Sequence, residues 1–164
     1  MADYLLFAKR LPNIFYGSGA PTCSLMLRKT VFKEIGYFDI ELNRQEDIDF
    51  AIRFGLKEGV FTGISEPVLT QYSTNDQNKK SAKIEFESTI RLIEKNRNYI
   101  LSKNSYYYIR LWTEMRYRHF ANQDIRAFLI LIRLILSYPV RTVRHFAISA
   151  TSRFLHEKRM NRNG

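Results

Sequence analysis

Two adjacent carboxylates, Glu46 and Asp47, stand where a helix is expected to begin, and a third, Asp49, follows two positions on. Ahead of them lie a Gly36-Tyr37-Phe38-Asp39 turn and a short polar linker that ends at Gln45. Acidic side chains in a first helical turn suit two tasks. They complement backbone N–H groups that lack an intrahelical acceptor, at about 0.3–1 kcal/mol each, or they hold a carboxylate out to a substrate from a rigid support. A hydroxyl is a poor nucleophile until its proton leaves, so a positioned carboxylate can serve as general base. The helix dipole favours the ionised, less basic form of Asp47, and the charge of Glu46 works against that.

The helix that must position these groups is expected over residues 46–58, stopped by Gly59. Ile48, Ala51, Ile52, Gly55 and Leu56 fall at helical spacing and predict a buried stripe. Asp49, Arg53 and Lys57 predict an opposing polar stripe, with Asp49–Arg53 an i,i+4 surface ion pair of small energetic weight. Upstream, residues 3–11 read as a short helix ended by Pro12, 13–19 as a strand or extended loop, and 22–27 as a short strand. Residues 30–35 predict a helix capped by Thr30 and ended by Gly36. Residues 60–64 and 68–72 are short β-type runs, and 73–81 is a polar loop. From Ala82 the chain reads as about four helices, with breaks near Lys103-Asn104, Asn122-Gln123-Asp124 and Ser137-Tyr138-Pro139. Segments 106–121 and 124–137 predict an antiparallel helical hairpin with Asp124 as N-cap.

The turn, the linker, the Glu46-Asp47 pair and Arg53 together resemble the acceptor-side, C-terminal portion of the inverting family-2 glycosyltransferases of GT-A type. In that family a Gly-Gly-Phe-Asp-like turn leads into a Glu-Asp pair. The resemblance covers roughly residues 13–100. It implies that Asp47 is the general base, taking the proton of an acceptor hydroxyl as that oxygen attacks the anomeric carbon of a nucleotide sugar. Glu46 would orient the turn or the acceptor, and Asp39 would cap the turn. Cys23 and Ser24 would lie on a small-residue strand facing the donor sugar, with Arg53 also on the substrate side. Cys23 reads as a small buried residue rather than a nucleophile.

The family's βαβ nucleotide-binding half and its Asp-x-Asp metal motif have no counterpart upstream of Asn13. The nearest such pattern, Asp47-Ile48-Asp49, sits on a helix in the wrong place. A Gln/Arg-x-x-Arg-Trp motif is also absent around Trp112. The resemblance therefore implies a partial transferase region over 1–100 that lacks its nucleotide-binding half and, by itself, is not expected to turn over substrate. A divalent metal (Mg or Mn) and a nucleotide-sugar donor are expected of the whole enzyme, and no cofactor or metal ligand of this chain itself. The acceptor class is a glycan or lipid-linked hydroxyl, as in polysaccharide and cell-envelope synthesis. The expected fold class is α+β, predominantly helical: the C-terminal half of a GT-A-like domain with few short strands, followed by a helical hairpin or bundle. A non-catalytic remnant acting as scaffold is the alternative.

The 164 residues are 45% apolar with only 7 Gly and 4 Pro, a composition that folds. A single cysteine excludes an internal disulfide, and the three histidines have no zinc spacing. Residues 1–90 carry 11 Lys/Arg against 12 Asp/Glu, whereas 91–164 carry 15 against 4, a net of +11. That asymmetry predicts different partners for the two ends. No signal peptide is expected from the opening residues, and the longest apolar run, 127–136, is interrupted by Arg133 and too short for a bilayer. A cytoplasmic chain, peripheral at the inner face of the membrane, is the expectation. In the basic helical extension, 101–164, Phe128, Leu131, Ile132 and Ile135 predict one apolar stripe, with Ile130 and Leu134 beside it. Arginines interleave these residues, which suits an anionic membrane surface or a plain bundle with a solvated basic face. Tyr106-Tyr107-Tyr108 and Arg116-Tyr117-Arg118-His119 offer stacking and phosphate contacts, but no nucleic-acid-binding motif accompanies them, so nucleic acid is the least favoured partner.

Overall fold

Residues 1–7, 9, 21–64, 66, 69, 70 and 81–147 are described by the computed structural model, and among them the chain is predominantly helical with no β-strand. Two units divide the chain, 1–100 and 101–164.

The first unit is built on α3 (Glu46–Leu56), against which α1 (Ala2–Phe7) and α2 (Lys29–Ile35) pack. Phe50 is fully buried, with the rings of Phe32 and Phe38 centred 5.5 and 5.0 Å from its own. Phe38 therefore holds the turn, and Phe32 holds α2, against α3. Gly36 ends α2 at φ 88°, a conformation that L side chains rarely adopt, and this is why a glycine stands there. Elsewhere on α3, Ile52 packs with Ala2 and with Leu92 of α4 (Ala82–Lys95), ringed by Leu5, Leu6, Ile48 and Tyr99. Ser81 caps α4 by accepting the Ile84 N–H at 3.4 Å. A break at Asn96, which the sequence does not signal, separates α4 from α5 (Arg97–Ser102).

Several expectations need correction. Residues 22–24 form a 3₁₀ turn rather than a strand, and the β-type run 60–64 takes no regular secondary structure. Thr30 does not cap α2: Arg28 is the N-cap residue and no side chain bonds there. Nor does α3 bury only the Ile48–Leu56 stripe. Asp49 and Phe50 have no exposed surface, while Leu56 is 42% exposed. The helix ends in a Schellman turn, with Glu58 at φ 60° and Gly59 N–H reaching Phe54 O at 2.9 Å. A Cβ on Gly59 would sit 2.5 Å from the Phe54 ring, so a side chain here would have to displace that ring. Expectations for 13–19, for most of 68–72 and for 73–80 fall outside the described residues.

In the second unit, α6 (Tyr106–Phe120) and α7 (Asp124–Ser137) form the expected hairpin. Asn122 takes the left-handed conformation that closes α6, and Gln123 N–H bonds Arg118 O at 2.8 Å. Asp124 is not the N-cap; Gln123 holds that position, and Asp124 meets His119 Nδ1 at 3.1 Å. The core comprises Tyr108, Trp112, Met115 and Leu134, with Ile130 and Leu131 packed against it. The apolar stripe is therefore not the one periodicity picks out. Leu134 is wholly buried, whereas Phe128 is 60% exposed.

Pro139 opens a further helical segment, 139–147, at a position where its missing N–H costs nothing. Thr142, buried there, donates its hydroxyl toward Leu134 O and Tyr138 O at 3.1 and 2.8 Å. His145 stacks on Trp112 with ring centroids 3.9 Å apart and lies 3.1 Å from the Tyr108 hydroxyl. Burial, with the nearby Arg116 charge second, holds the His145 pKa below its ordinary 6.5. A depressed folded-state pKa means that the unfolded chain takes up the proton first. The contribution of His145 to stability is thus complete above about pH 6.5 and lost as pH falls through its lowered value. Thermal melts are expected to show the hairpin unit weakening as pH falls below about 6.5, with this slope reduced in His145→Phe.

Candidate functional site at the start of helix α3

The linker from Asp39 to Gln45 is tied to α4 at three places. Lys95 Nζ meets Asp39 Oδ2 at 2.5 Å, Arg91 donates to Glu41 O at 2.7 Å, and Gln45 Nε2 donates to Glu85 Oε1 and Thr89 Oγ1 at 2.9 and 2.8 Å. Asp39 also accepts the Glu41 N–H at 3.0 Å, which fixes the turn locally as expected. Gln45, the N-cap residue, is in the left-handed region at φ 66°, ψ 21°. A residue with a Cβ costs roughly 1–2 kcal/mol there, and the two bonds to α4 offset that strain. The strained residue immediately precedes the acidic pair.

Glu46 and Asp47 follow with half-buried side chains. Asp47 Oδ1 accepts the N–H of Ile48 at 2.8 Å, leaving Oδ2 without a protein partner among the described residues. Beneath them lies a cluster of charges. Asp49 Oδ2 takes Arg53 Nε at 2.8 Å and Lys95 Nζ at 3.0 Å, and Asp49 has no exposed surface. Arg53 then donates Nη1 to Ile35 O at 2.6 Å and Nη2 to Tyr37 O at 2.8 Å, bridging the end of α2 and the turn. The expected surface ion pair is thus a buried brace. The second cation on Asp49, Lys95, comes from 46 residues away, which i,i+4 reasoning does not reach. Asp49 Oδ1 is buried and finds no partner among the described residues.

The electrostatics follow from these contacts. The Lys95 hydrogen bond, with the Glu41 N–H second, holds the Asp39 carboxyl below the usual carboxylate value. For Lys95, partial burial favours the neutral amine, but hydrogen bonds to Asp39 and Asp49 outweigh it and the ammonium is held above its ordinary pKa.

The chain matches no protein-family model, no curated protein and no solved structure.

The other site residues read from the sequence lie elsewhere. Cys23 and Ser24 are exposed in the 3₁₀ turn, Cys23 is not the buried small residue expected, and Ser24 Oγ donates to Pro21 O at 3.1 Å. No hydrogen bond or ion pair joins either one to Glu46 or Asp47 among the described residues. Arg53 bonds Asp49, Ile35 O and Tyr37 O, and no bond joins it to Glu46 or Asp47 among the described residues. A divalent metal does not suit Asp47-Ile48-Asp49, because Asp49 already faces two cations. No group of three or more His, Cys, Asp or Glu is placed to hold a metal among the described residues. A cavity of about 330 Å³ lies at the other end of α3, lined by α1, Gly55, Leu56 and Tyr99. The Tyr99 hydroxyl there donates to Asp3 at 2.5 Å, and burial with this carboxylate pushes its pKa to about 12. Neither this cavity nor the shallow depression at Asn122–Arg126 is lined by Asp47.

Sequence reasoning missed Gln45, Arg91 and Lys95. Left-handed backbone is signalled by Gly or Asn, not Gln, and a lysine ending a helix reads as a dipole partner.

Proposed function

We propose that this chain supplies the acceptor-side, base-bearing part of an inverting sugar transferase, with Asp47 as general base. The supporting observation is the strained Gln45 backbone, held to α4 by two side-chain bonds directly before the acidic pair. A first-turn carboxylate that served only the helix dipole needs no such fixture. Backbone strain of this kind gathers where position matters to function. The turn, the linker and α3 are braced as one body by Arg53, Lys95 and Asp49, so Asp47 has a defined place from which to take a proton.

In this reading an acceptor hydroxyl, on a glycan or lipid-linked molecule, hydrogen-bonds to Asp47 Oδ2. The proton passes to the carboxylate as the hydroxyl oxygen bonds to the anomeric carbon and the nucleoside diphosphate leaves from the opposite face. Glu46 beside it orients the acceptor. The nucleotide and the departing diphosphate are held by a donor-binding partner, and a cleft over Asp47 forms only when that partner is in place. One displacement inverts the anomeric centre. Assembled with that partner, the chain is expected to give product of inverted configuration by NMR, and retained configuration contradicts the assignment.

A non-catalytic protein of the same build is the second reading. It is favoured by the bond from Ile48 N–H to Asp47 Oδ1 and by the two cavities that Asp47 does not line. It predicts binding to the partner without transfer.

A further inference from the structure

Helix α7 has a second apolar face that no described residue covers. With Leu134 pointing into the hairpin core, Ile125, Phe128, Leu129, Ile132, Ile135 and Leu136 project over an outward arc of about 120° at about 100° per residue. All six are exposed, Ile125 by 81% and Leu136 by 78%. In the next helical segment Val140 and Val143 are exposed as well. A soluble helix ordinarily turns polar residues to this side.

The charges along the Leu129 flank and beside Val140 and Val143 are all arginines, while the one carboxylate at the face, Asp124 on the Ile135 flank, is met by His119 at 3.1 Å. On the α7 helical wheel Arg126 and Arg133 fall together along the Leu129 flank, and both are exposed. Arg144 is exposed beside Val140 and Val143. Residues 101–164 hold 12 Lys/Arg against 3 Asp/Glu. Two copies meeting through this face would bring like charges together, whereas an anionic lipid surface accepts the apolar side chains and attracts the arginines.

The geometry points to an interfacial membrane-docking surface: α7 lies in the headgroup plane of an anionic bilayer, its outward apolar face entering the acyl boundary and Arg126, Arg133 and Arg144 contacting headgroup phosphates. Fourteen residues span about 21 Å, short of a hydrocarbon core of about 30 Å. No helix among the described residues is long and apolar enough to cross a membrane. This surface stands on the second unit alone and is independent of the transferase reading.

Cosedimentation of the full chain with vesicles tests it, using phosphatidylcholine alone or with about 30% phosphatidylglycerol. Binding is expected to the anionic vesicles, at least about tenfold weaker to neutral ones, and reduced by salt. Phe128→Ser with Ile132→Ser, both at exposed positions, is expected to lower binding about tenfold or more with helix content unchanged by circular dichroism. Arg126→Gln with Arg133→Gln is expected to weaken binding to anionic vesicles only. Absence of vesicle binding overturns the proposal, as does binding indifferent to the serine substitutions. A dimer in sedimentation equilibrium that the serine substitutions dissolve, without vesicle binding, assigns the face to a second copy instead.

Discussion

Arg53→Ala is expected to destabilise the first unit by about 3–5 kcal/mol, far more than an i,i+4 surface pair contributes. Asp49 has no exposed surface and the Arg53 side chain only 20%, so truncation leaves a buried carboxylate with Lys95 alone for charge compensation. Two carbonyls, Ile35 O and Tyr37 O, lose their donor in the same step. Denaturant unfolding monitored on the transition of residues 1–100 gives the value. Asp49→Leu combined with Arg53→Met is expected to recover part of the loss, because no lone buried charge remains, although the two carbonyls stay without their donor. Lys95→Met is expected to cost less than Arg53→Ala, since the lysine is more exposed. A loss under about 1 kcal/mol for Arg53→Ala contradicts the brace.

In the second unit, Leu134→Ala is expected to cost about 2–5 kcal/mol and Phe128→Ala within about 0.5 kcal/mol. The periodicity of the sequence alone ranks them the other way. Leu134 sits at the centre of the contacts with Tyr108, Trp112 and Met115, so its truncation opens a cavity that this packing closes only in part. Phe128 projects about 120° away from Leu134 around α7 and its loss removes little burial. Thermal or denaturant unfolding of the two variants decides the ranking, and equal losses contradict the assigned faces.

Those two cases show what could be read from residues alone. The hairpin was legible nearly to the residue because polar Asn122-Gln123 interrupts two long helical runs and Asn tolerates the left-handed turn. Which face of α7 is inside was not legible, because Ile, Leu and Phe occupy nearly every phase of that helix and leave periodicity without contrast. The strand expectations for 22–27 and 60–64 rested on β-type residues, yet a strand exists only where a partner backbone lies beside it. Around the candidate site, the Gly36 turn and the acidic start of α3 were legible from Gly, aromatic and carboxylate residues at short spacing. The brace was not, since Lys95 joins Asp39 and Asp49 through separations of 56 and 46 residues. Gln45 carried no signal at all: its backbone is dictated by Glu85 and Thr89 on α4, not by its own preference.

The central claim is that Asp47 acts as a base rather than as a helix-end charge. The most direct measurement is the transfer rate of Asp47→Asn beside Glu46→Gln, each assembled with its donor-binding partner and checked for an unchanged melting temperature. A fall of about 10²–10⁴-fold for Asp47→Asn, a much smaller one for Glu46→Gln and unaltered nucleotide-sugar affinity are expected. Transfer by Asp47→Asn at the wild-type rate contradicts the account.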